Sequence, residues 1–283
     1  MAEPFGIVSG AVGVTAIFTT CVDCFGYVQS ARKFDRDFQT ELVHGLILQN
    51  RLSRWGEAIS IYDSPKFGDP QKEALAKAVL LQILKLFDDS MAKSGKYIGQ
   101  DLEPLNRSST AANDKEITQE ALSEVENTMQ ALIKKRKKGT GLLKKIGWSL
   151  YDKKSLIELN SNLSKLMDGL DSCVPTEESR AGLVENEMEE VKSDEKVLEA
   201  LAVLSEKLDG LLHNEADRKV EEVRTFQEVI IDGGQVHNGG LMKSDFHGTI
   251  PTGDGGCTIG KMHVKGGKVH NGWNLGGKGV FDD

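Results

Sequence analysis

The feature that most constrains the fold of this chain is an internal repeat near its C-terminal end. Residues 229–240 (VIIDGGQVHNGG) and 262–273 (MHVKGGKVHNGW) are identical at six of twelve positions, with an offset of 33 residues. Such a repeat predicts stacked layers in which equivalent residues lie above one another. Because neighbouring strands lie about 4.8 Å apart, the sequence predicts a β-solenoid with two layers per molecule.

The differences between the two repeats concern charge. Two acidic residues of the first repeat have a lysine counterpart in the second: Glu228 with Lys261, and Asp232 with Lys265. Stacked layers would therefore bring acid next to base, whereas identical charges would repel along the stack. Three further equivalent pairs suit an apolar core and side-chain ladders. They are Val236 with Val269, His237 with His270, and Asn238 with Asn271.

A two-layer solenoid leaves unpaired strand edges at both ends, and such edges promote aggregation. We therefore expect the isolated tail to be disordered and assembled tails to be fibrillar. The alternatives are a soluble β-hairpin domain, a flexible glycine-rich linker, and metal binding by the four tail histidines. These are His237, His247, His263 and His270. In a fibre with a histidine ladder, protonation near pH ~6 would add like charges and weaken the stack.

Composition changes abruptly near residue 221. Residues 221–283 hold 15 of the 30 glycines and 4 of the 6 histidines. This change predicts two domains: residues 1–220, and a tail of residues 221–283 with repeats at about 226–246 and 259–279. The first domain is rich in Leu, Ala, Glu and Lys and shows no strand-type alternation, so we expect an all-α bundle.

Four apolar stripes at helical spacing support the bundle. Asp69 followed by Pro70 also predicts a helix N-cap. The first stripe is Leu75, Val79, Ile83 and Leu86, widened by Leu80, Leu84 and Phe87. The others are Ile117, Ala121, Val125 and Leu132; Leu156, Leu159, Leu163, Leu166 and Leu170; and Leu198, Leu201, Leu204, Leu208 and Leu211. Residues 99–113 are predicted to form a loop.

The N-terminal segment Pro4–Val22 contains 19 residues without a charge. A helix of that length would span roughly 28 Å, about the thickness of a bilayer core. A helix that is apolar on every side needs protein or lipid around it, so we expect burial in the resting bundle and later release. Gly6 and Gly10 have the spacing that lets helices approach closely in lipid. The candidate membrane-inserting residues are Pro4, Phe5, Gly6, Gly10, Val12, Phe18 and Val22.

A basic run extends from Lys134 to Lys138 and continues at Lys144 and Lys145, near Trp148 and Tyr151. Basic and aromatic residues together suit an anionic membrane surface. A solvated helix end and a nuclear localisation signal are the alternatives. The acidic segment 177–199 can offset this basic run in the resting state.

Several functional classes are disfavoured by the sequence. A net charge of −8 argues against a general nucleic-acid binder, and Glu3 stands where a secretory signal would be basic. Four cysteines do not form a disulfide scaffold, so we expect reduced thiols in the cytoplasm. Cys21 and Cys24 are interpreted as structural thiols. His44 and His213 have no obvious nucleophile arrangement around them, and we expect no enzymatic activity, cofactor or metal.

Several stretches resemble the HeLo-domain family of fungal heterokaryon-incompatibility proteins. The similar stretches are Glu3–Val8; Cys21–Phe25 with Tyr27–Gln29; Arg51–Ala58; Trp148 with Leu150–Asp152 and Lys154–Leu156; and Gly276–Gly279 with Phe281–Asp282. The resemblance implies a helical HeLo domain with a small hairpin, followed by a prion-forming domain. The family's solenoid has compensating charges between repeats, and a third such pair is lacking here because Gln235 corresponds to Lys268.

The resemblance also implies a mechanism and partners. Amyloid templating of the tail would disrupt the helical domain and expose its N-terminal segment, which moves from the cytoplasm to the plasma membrane and inserts. The implied partners are further copies of the chain in an amyloid fibre, membrane lipids, and a NOD-like receptor with a similar motif. Two alternatives stay open: a prion-type regulator without membrane toxicity, and a cytosolic scaffold with a flexible tail.

Overall fold

A computed structural model of the chain divides into two compact units, Met1–Ala216 and Asp217–Asp283. The structure describes residues 13–26, 28–30, 36–95, 117–136, 148–150, 153–173, 177–191, 194–232, 235–238, 241–242, 258–265, 268–271 and 274–275. The predicted loop at residues 99–113 lies outside this part of the chain.

The described part of the first unit is mainly helical, as the sequence predicts. Its helices are α1 (Val14–Phe25), α2 (Arg36–Ala58), α3 (Pro70–Gly95), α4 (Gln119–Arg136), α5 (Lys153–Asp171), α6 (Glu177–Glu190), α7 (Glu195–Ser205) and α8 (Gly210–Arg224), of which the last extends into the second unit. Helix α2 packs against α1, α4, α5, α6 and α7. Its apolar side chains are therefore at the centre of the core: Val43, Ile47, Leu48, Leu52 and Trp55 are all buried.

Helix α3 begins as its sequence predicts. Pro70 is the first helical residue, and the Asp69 carboxylate accepts a hydrogen bond of 2.6 Å from the backbone N–H of Gln71. The apolar stripe of this helix was predicted less well, because Leu75 is 51% exposed. The buried side instead comprises Ala76, Val79, Leu80, Ile83, Leu84 and Phe87.

Two further stripes are confirmed. On α5, Leu156, Leu159, Leu163 and Leu170 are buried, and Leu166 is half-buried. On α4, Ala121, Val125 and Leu132 are buried together with Met129, while Ile117 precedes the helix. Spacing alone identified these faces because each helix has one clear apolar side.

The fourth stripe does not form one helix. Helix α7 ends at Ser205, and α8 begins at Gly210. The Ser205 hydroxyl donates to the carbonyl of Leu201 at 2.6 Å, and Asp209 then provides a new helix start. The leucine spacing continues through this break, so it could not reveal where the helix ends.

A short parallel strand pair joins distant parts of the first unit. Strand β1 (Val28–Ser30) pairs with β2 (Trp148–Leu150). The resemblance implied a small hairpin, whereas this strand pair of the described residues is parallel, and the hairpin stays a prediction. Parallel strands cannot be joined by a tight turn, and here the connection includes α2, α3 and α4.

The described part of the second unit contains three parallel strand pairs. They are β3 (Thr225–Asp232) with β6 (Thr258–Lys265), β4 (Gln235–Asn238) with β7 (Lys268–Asn271), and β5 (Leu241–Met242) with β8 (Asn274–Leu275). Each pair joins one repeat to the other.

Candidate functional site

Helix α1 lies in a seat formed by α2, α3 and the turn after α2. The ring of Phe18 is only 1% exposed, and its centroid lies 6.0 Å from Trp55 and 5.8 Å from Tyr62. A Cβ atom placed on Gly56 would approach Phe18 Cζ to 2.2 Å. The ring therefore packs directly on the backbone of α2, which requires glycine at residue 56.

Polar contacts fix the position of α1 in this seat. The Thr15 hydroxyl donates to the carbonyl of Ile61 at 2.8 Å. The Gln49 amide donates to the carbonyl of Val22 at 2.9 Å. At the C-terminal end of α1, Phe25 packs edge-on against Phe87 of α3 with centroids 5.0 Å apart. These contacts hold α1 in one register along its full length.

Among the predicted membrane-inserting residues, Phe18 and Val22 lie on α1 and are buried. Pro4, Phe5, Gly6, Gly10 and Val12 lie outside the described residues. Helix α1 has 12 residues, or about 18 Å, whereas a helix over the whole uncharged segment would have 19 residues. Ala16 of this helix is exposed, and Asp23, one residue beyond the uncharged segment, belongs to the buried set of α1. Within the described ranges, none of the helices has both the length and the apolar character needed to cross a membrane.

The cysteines of α1 are buried free thiols. Burial, and the neighbouring Cys24 thiol, raise the pKa of Cys21, and burial together with Asp23 raises the pKa of Cys24. The Cys21 thiol donates to the carbonyl of Leu80 at 3.3 Å. Both thiols are therefore protonated and unreactive while α1 is seated. The described residues include no cluster of His, Cys, Asp and Glu suited to a metal ion.

The basic run meets the acidic segment, as expected from their charges. At the end of α4, Lys135 pairs with Glu190 of α6. The Arg136 guanidinium lies 2.6 Å from Glu57 and 2.7 Å from Glu187. Lys137, Lys138, Lys144 and Lys145 lie outside the described residues, and the membrane role of the run stays a prediction.

A buried ionic cluster in the centre of the bundle was not identified from the sequence. Arg54 of α2 is 2% exposed and lies 2.7 Å from Glu187 of α6 and 2.9 Å from Asp209, the residue before α8. Arg51, one turn earlier, lies 2.7 Å from Asp168 and 2.6 Å from Asp171 of α5. The available signal was the pair of arginines at helical spacing on the face that also carries Leu48 and Leu52.

The charges in this cluster stabilise one another. Burial alone would raise the pKa of Glu187, but the charge and hydrogen bonds of Arg54, the charge of Arg136 and the amide of Asn50 outweigh it. The pKa of Glu187 is therefore below its usual value. For Arg54, burial works in the opposite direction, and Asp209 and Glu187 hold its pKa above the usual value. Glu187 and Arg54 are therefore both ionised at neutral pH.

The tail strands bring the predicted stacking residues together in pairs. Along β3 and β6, Glu228 is the Cα partner of Lys261, and Asp232 is that of Lys265. Gln235 is opposite Lys268. The same register pairs Val236 with Val269, His237 with His270, and Asn238 with Asn271. This register corresponds to the 33-residue offset of the repeat.

Fold and site together define a class of protein: a helical bundle with a buried N-terminal helix, followed by a tail of two repeats that pair in parallel. Comparisons with known proteins agree with the bundle. The HeLo family model, described as "Prion-inhibition and propagation", matches residues 6–201. The chain belongs to the HeLo family.

Relatives of similar length are found in the fungus Podospora anserina. The chain is 32% identical to its heterokaryon incompatibility protein s over 300 positions, and 33% identical to its heterokaryon incompatibility protein S over 298 positions. Both alignments cover 100% of each chain. Both relatives are named as incompatibility proteins and not as enzymes.

Two solved structures resemble the helical unit. The HET-S N-terminal domain has a TM-score of 0.66 and 34% identity, and the match covers 78% of this chain and 99% of that one. A mutant of the HET-s N-terminal domain has a TM-score of 0.64 and 32% identity, with 75% and 100% covered.

Proposed function

We propose that this chain is a heterokaryon-incompatibility protein whose tail controls its helical domain through amyloid templating. Templated folding of the tail releases the N-terminal apolar segment, which then disrupts membranes. The register of the strand pair β3–β6 carries this proposal, because it places Glu228 opposite Lys261 and Asp232 opposite Lys265.

Charge alternation favours a stack that continues from one molecule to the next. In a two-layer solenoid, the upper layer of one chain meets the lower layer of another at the same spacing as the layers within a chain. Each contact again brings acid next to lysine, at about 0.2–1 kcal/mol per pair. Two consecutive molecules therefore attract through the same pairs that hold one molecule together.

Unpaired strand edges provide the means of templating. In the described part of the tail, each strand pairs with a single partner strand. The opposite edge of each strand can therefore accept a strand from another chain. Further copies of this chain can bind there, as can a NOD-like receptor that bears a similar motif.

Chain continuity links the tail to the bundle. Helix α8 ends at Arg224, and β3 begins at Thr225, so no linker separates the last helix from the first strand. Extending the β-layer towards the N-terminus must therefore unwind α8. Loss of α8 removes helical structure from the bundle and favours release of α1.

Release of α1 would change its environment from protein to lipid. Its buried residues, including Ile17, Phe18 and Val22, need an apolar environment once they leave the seat. The preceding uncharged residues from Pro4 onward would extend the inserting segment. We place the resting protein in the cytoplasm and the activated protein at the plasma membrane, where the basic run after residue 134 would contact anionic lipid.

Leakage of liposomes seeded by fibrils tests the proposal. The full chain is mixed with vesicles containing anionic lipid and a self-quenched dye, with or without preformed fibrils of residues 221–283. We expect dye release only in the presence of fibrils. The Val12→Lys variant should bind fibrils normally and release no dye, because a charge in the bilayer centre costs about 2.5–3.5 kcal/mol or more.

A prion-type regulator without membrane toxicity is the second candidate function. Asp23 favours it, because an acidic residue within the buried set of α1 opposes entry of this part of the helix into lipid. Growth of fibrils on the full chain without dye release would support the regulator and contradict the membrane step. Failure of residues 221–283 to form fibrils at all would contradict both.

A further inference from the structure

Arg54 is the centre of an ionic cluster that connects four parts of the helical unit. Its guanidinium binds Glu187 through two hydrogen bonds, Nε to Oε1 at 2.7 Å and Nη2 to Oε2 at 2.9 Å. Its Nη1 lies 2.9 Å from Asp209 Oδ2. Arg136 at the end of α4 lies 2.7 Å from Glu187 Oε1. These four residues, called here the Arg54 cluster, carry two positive and two negative charges.

Asp209 connects this cluster to the first turn of α8. Its Oδ1 atom accepts a hydrogen bond of 3.3 Å from the backbone N–H of Leu212, in the first turn of α8. The Asp209 carbonyl accepts a second, of 2.9 Å, from the N–H of His213. The same side chain thus caps α8 and binds Arg54, and α8 is the helix that leads directly into β3.

The residues that follow Arg54 on α2 contact α1. The next two residues of α2 are Trp55 and Gly56, which contact the ring of Phe18. The indole N–H of Trp55 also donates to the carbonyl of Leu170 at 2.9 Å. Three consecutive residues of α2 therefore bind the start of α8 and form the seat of α1. Any shift of Arg54 along or around α2 moves the surface on which Phe18 packs.

We infer that the Arg54 cluster is the latch through which loss of α8 releases α1, with Asp209 as its positioning residue. That loss of α8 leads to release of α1 rests on the proposed function. A buried ion pair that loses one partner is strongly destabilised, because the remaining charge stays in a dry environment. When α8 unwinds and Asp209 leaves, Arg54 loses a partner and must move towards water. That movement disturbs Trp55 and Gly56, and the seat of Phe18 opens.

Thiol labelling of the soluble full chain, without fibrils or lipid, tests this latch directly. Cys173→Ala and Cys257→Ser leave Cys21 and Cys24 of α1 as the reactive groups. Both are protected by burial while α1 is seated, so their reaction with an aromatic disulfide reagent at pH 8 reports release of α1. Asp209→Asn preserves shape and removes the charge. We expect it to increase the labelling rate by at least about tenfold, as loss of a buried charge partner requires.

Three variants separate the latch from a general loss of stability. Asp209→Glu restores the charge and should return labelling most of the way to the parent rate. Asp168→Asn removes a carboxylate that contacts Arg51 but is 67% exposed, and should change the rate by less than about twofold. Leu122→Ala truncates a buried side chain of α4. It shows how much the labelling rate rises for a given loss of unfolding free energy when the Arg54 cluster is intact.

The inference is overturned if Asp209→Asn labels no faster than Leu122→Ala at equal loss of unfolding free energy. If Asp209→Asn does not fold, Arg54→Lys replaces it, since lysine keeps the charge but loses the double hydrogen bond to Glu187. Labelling at the parent rate in Arg54→Lys would equally overturn the latch. Liposome leakage by the unmodified chain is measured separately. Its absence would remove the proposed membrane function and leave the labelling result standing.

Discussion

Opposite charges are used differently in the two units of this protein. In the helical unit, the buried guanidinium of Arg54 binds the buried carboxylates of Glu187 and Asp209 within a single chain. In the tail, Glu228 and Lys261 occupy equivalent positions of two repeats, and in the proposed fibre the same pairing would continue on another molecule. The first arrangement is closed, because each charged group in it binds a partner in the same chain. The second is open, because the outer edges of the two-stranded tail sheets have no partner strand in the described part of the chain.

Under the proposed function, this difference would let one chain have a stable resting state and still respond to a template. A closed buried cluster holds together or fails as a whole, since a single unpaired charge in the core is costly. In the proposed fibre, each further contact of the ladder would add only a small free energy, about 0.2–1 kcal/mol per pair. A substitution that disturbs one arrangement should therefore leave the other intact.

The largest effect is expected from Arg54→Met, which leaves the carboxylates of Glu187 and Asp209 in the core without this partner. Breaking a buried ion pair in this way costs ~3–5 kcal/mol. Chemical denaturation of the full chain, followed by helical circular dichroism, measures the loss. The exposed Lys165→Met on α5 is the control and should change little. Fibrils of residues 221–283 should be unaffected, because they do not contain the cluster.

Acid should act on the same cluster. The pKa of Glu187 is lower in the folded chain than its usual value, so its contribution to stability is present above the usual pKa of about 4.3. That contribution is lost as the pH falls from there through the lower folded value. Glu187→Gln should therefore flatten the acid side of the stability curve, measured by denaturation between pH 3 and 7. An unchanged slope would mean that another carboxylate governs acid unfolding.

Gly56→Ala tests the seat of α1 with an intermediate effect. The added methyl group would lie 2.2 Å from Phe18 Cζ, and overpacking of this kind costs ~1–3 kcal/mol. Thermal denaturation should show the loss, and the thiols of α1 should label faster. Adding Phe18→Leu should recover part of the stability by making room. No loss in Gly56→Ala would show that the ring moves freely, contrary to its burial between Trp55 and Tyr62.

The smallest effect per contact is expected in the tail. Lys265→Glu places a second carboxylate opposite Asp232, and the repulsion costs about 0.2–1 kcal/mol for each contact. This change should slow fibril elongation. Adding Asp232→Lys should restore it. Lys268→Glu is the matched control, because its counterpart Gln235 is uncharged. Equal slowing by both single changes would contradict the role of charge register.

Local patterns allowed much of the fold to be predicted. The Asp69–Pro70 cap, the faces of α4 and α5, and the pairing of the tail strands all follow from neighbouring residues or from one fixed offset. The uncharged N-terminal segment correctly indicated burial of Phe18 and Val22, although the helix that contains them begins only at Val14.

Only the tertiary structure decided which distant groups meet. Glu187 is 133 residues from Arg54, and Asp209 is 155 residues from it, so no spacing rule connects them. The parallel pair β1–β2 and the break between α7 and α8 also depend on long-range packing. The sequence by itself determined periodic features, because helix faces and repeat register depend on intervals along the chain. Contacts between elements depend on how whole helices pack, and only the folded bundle specifies that.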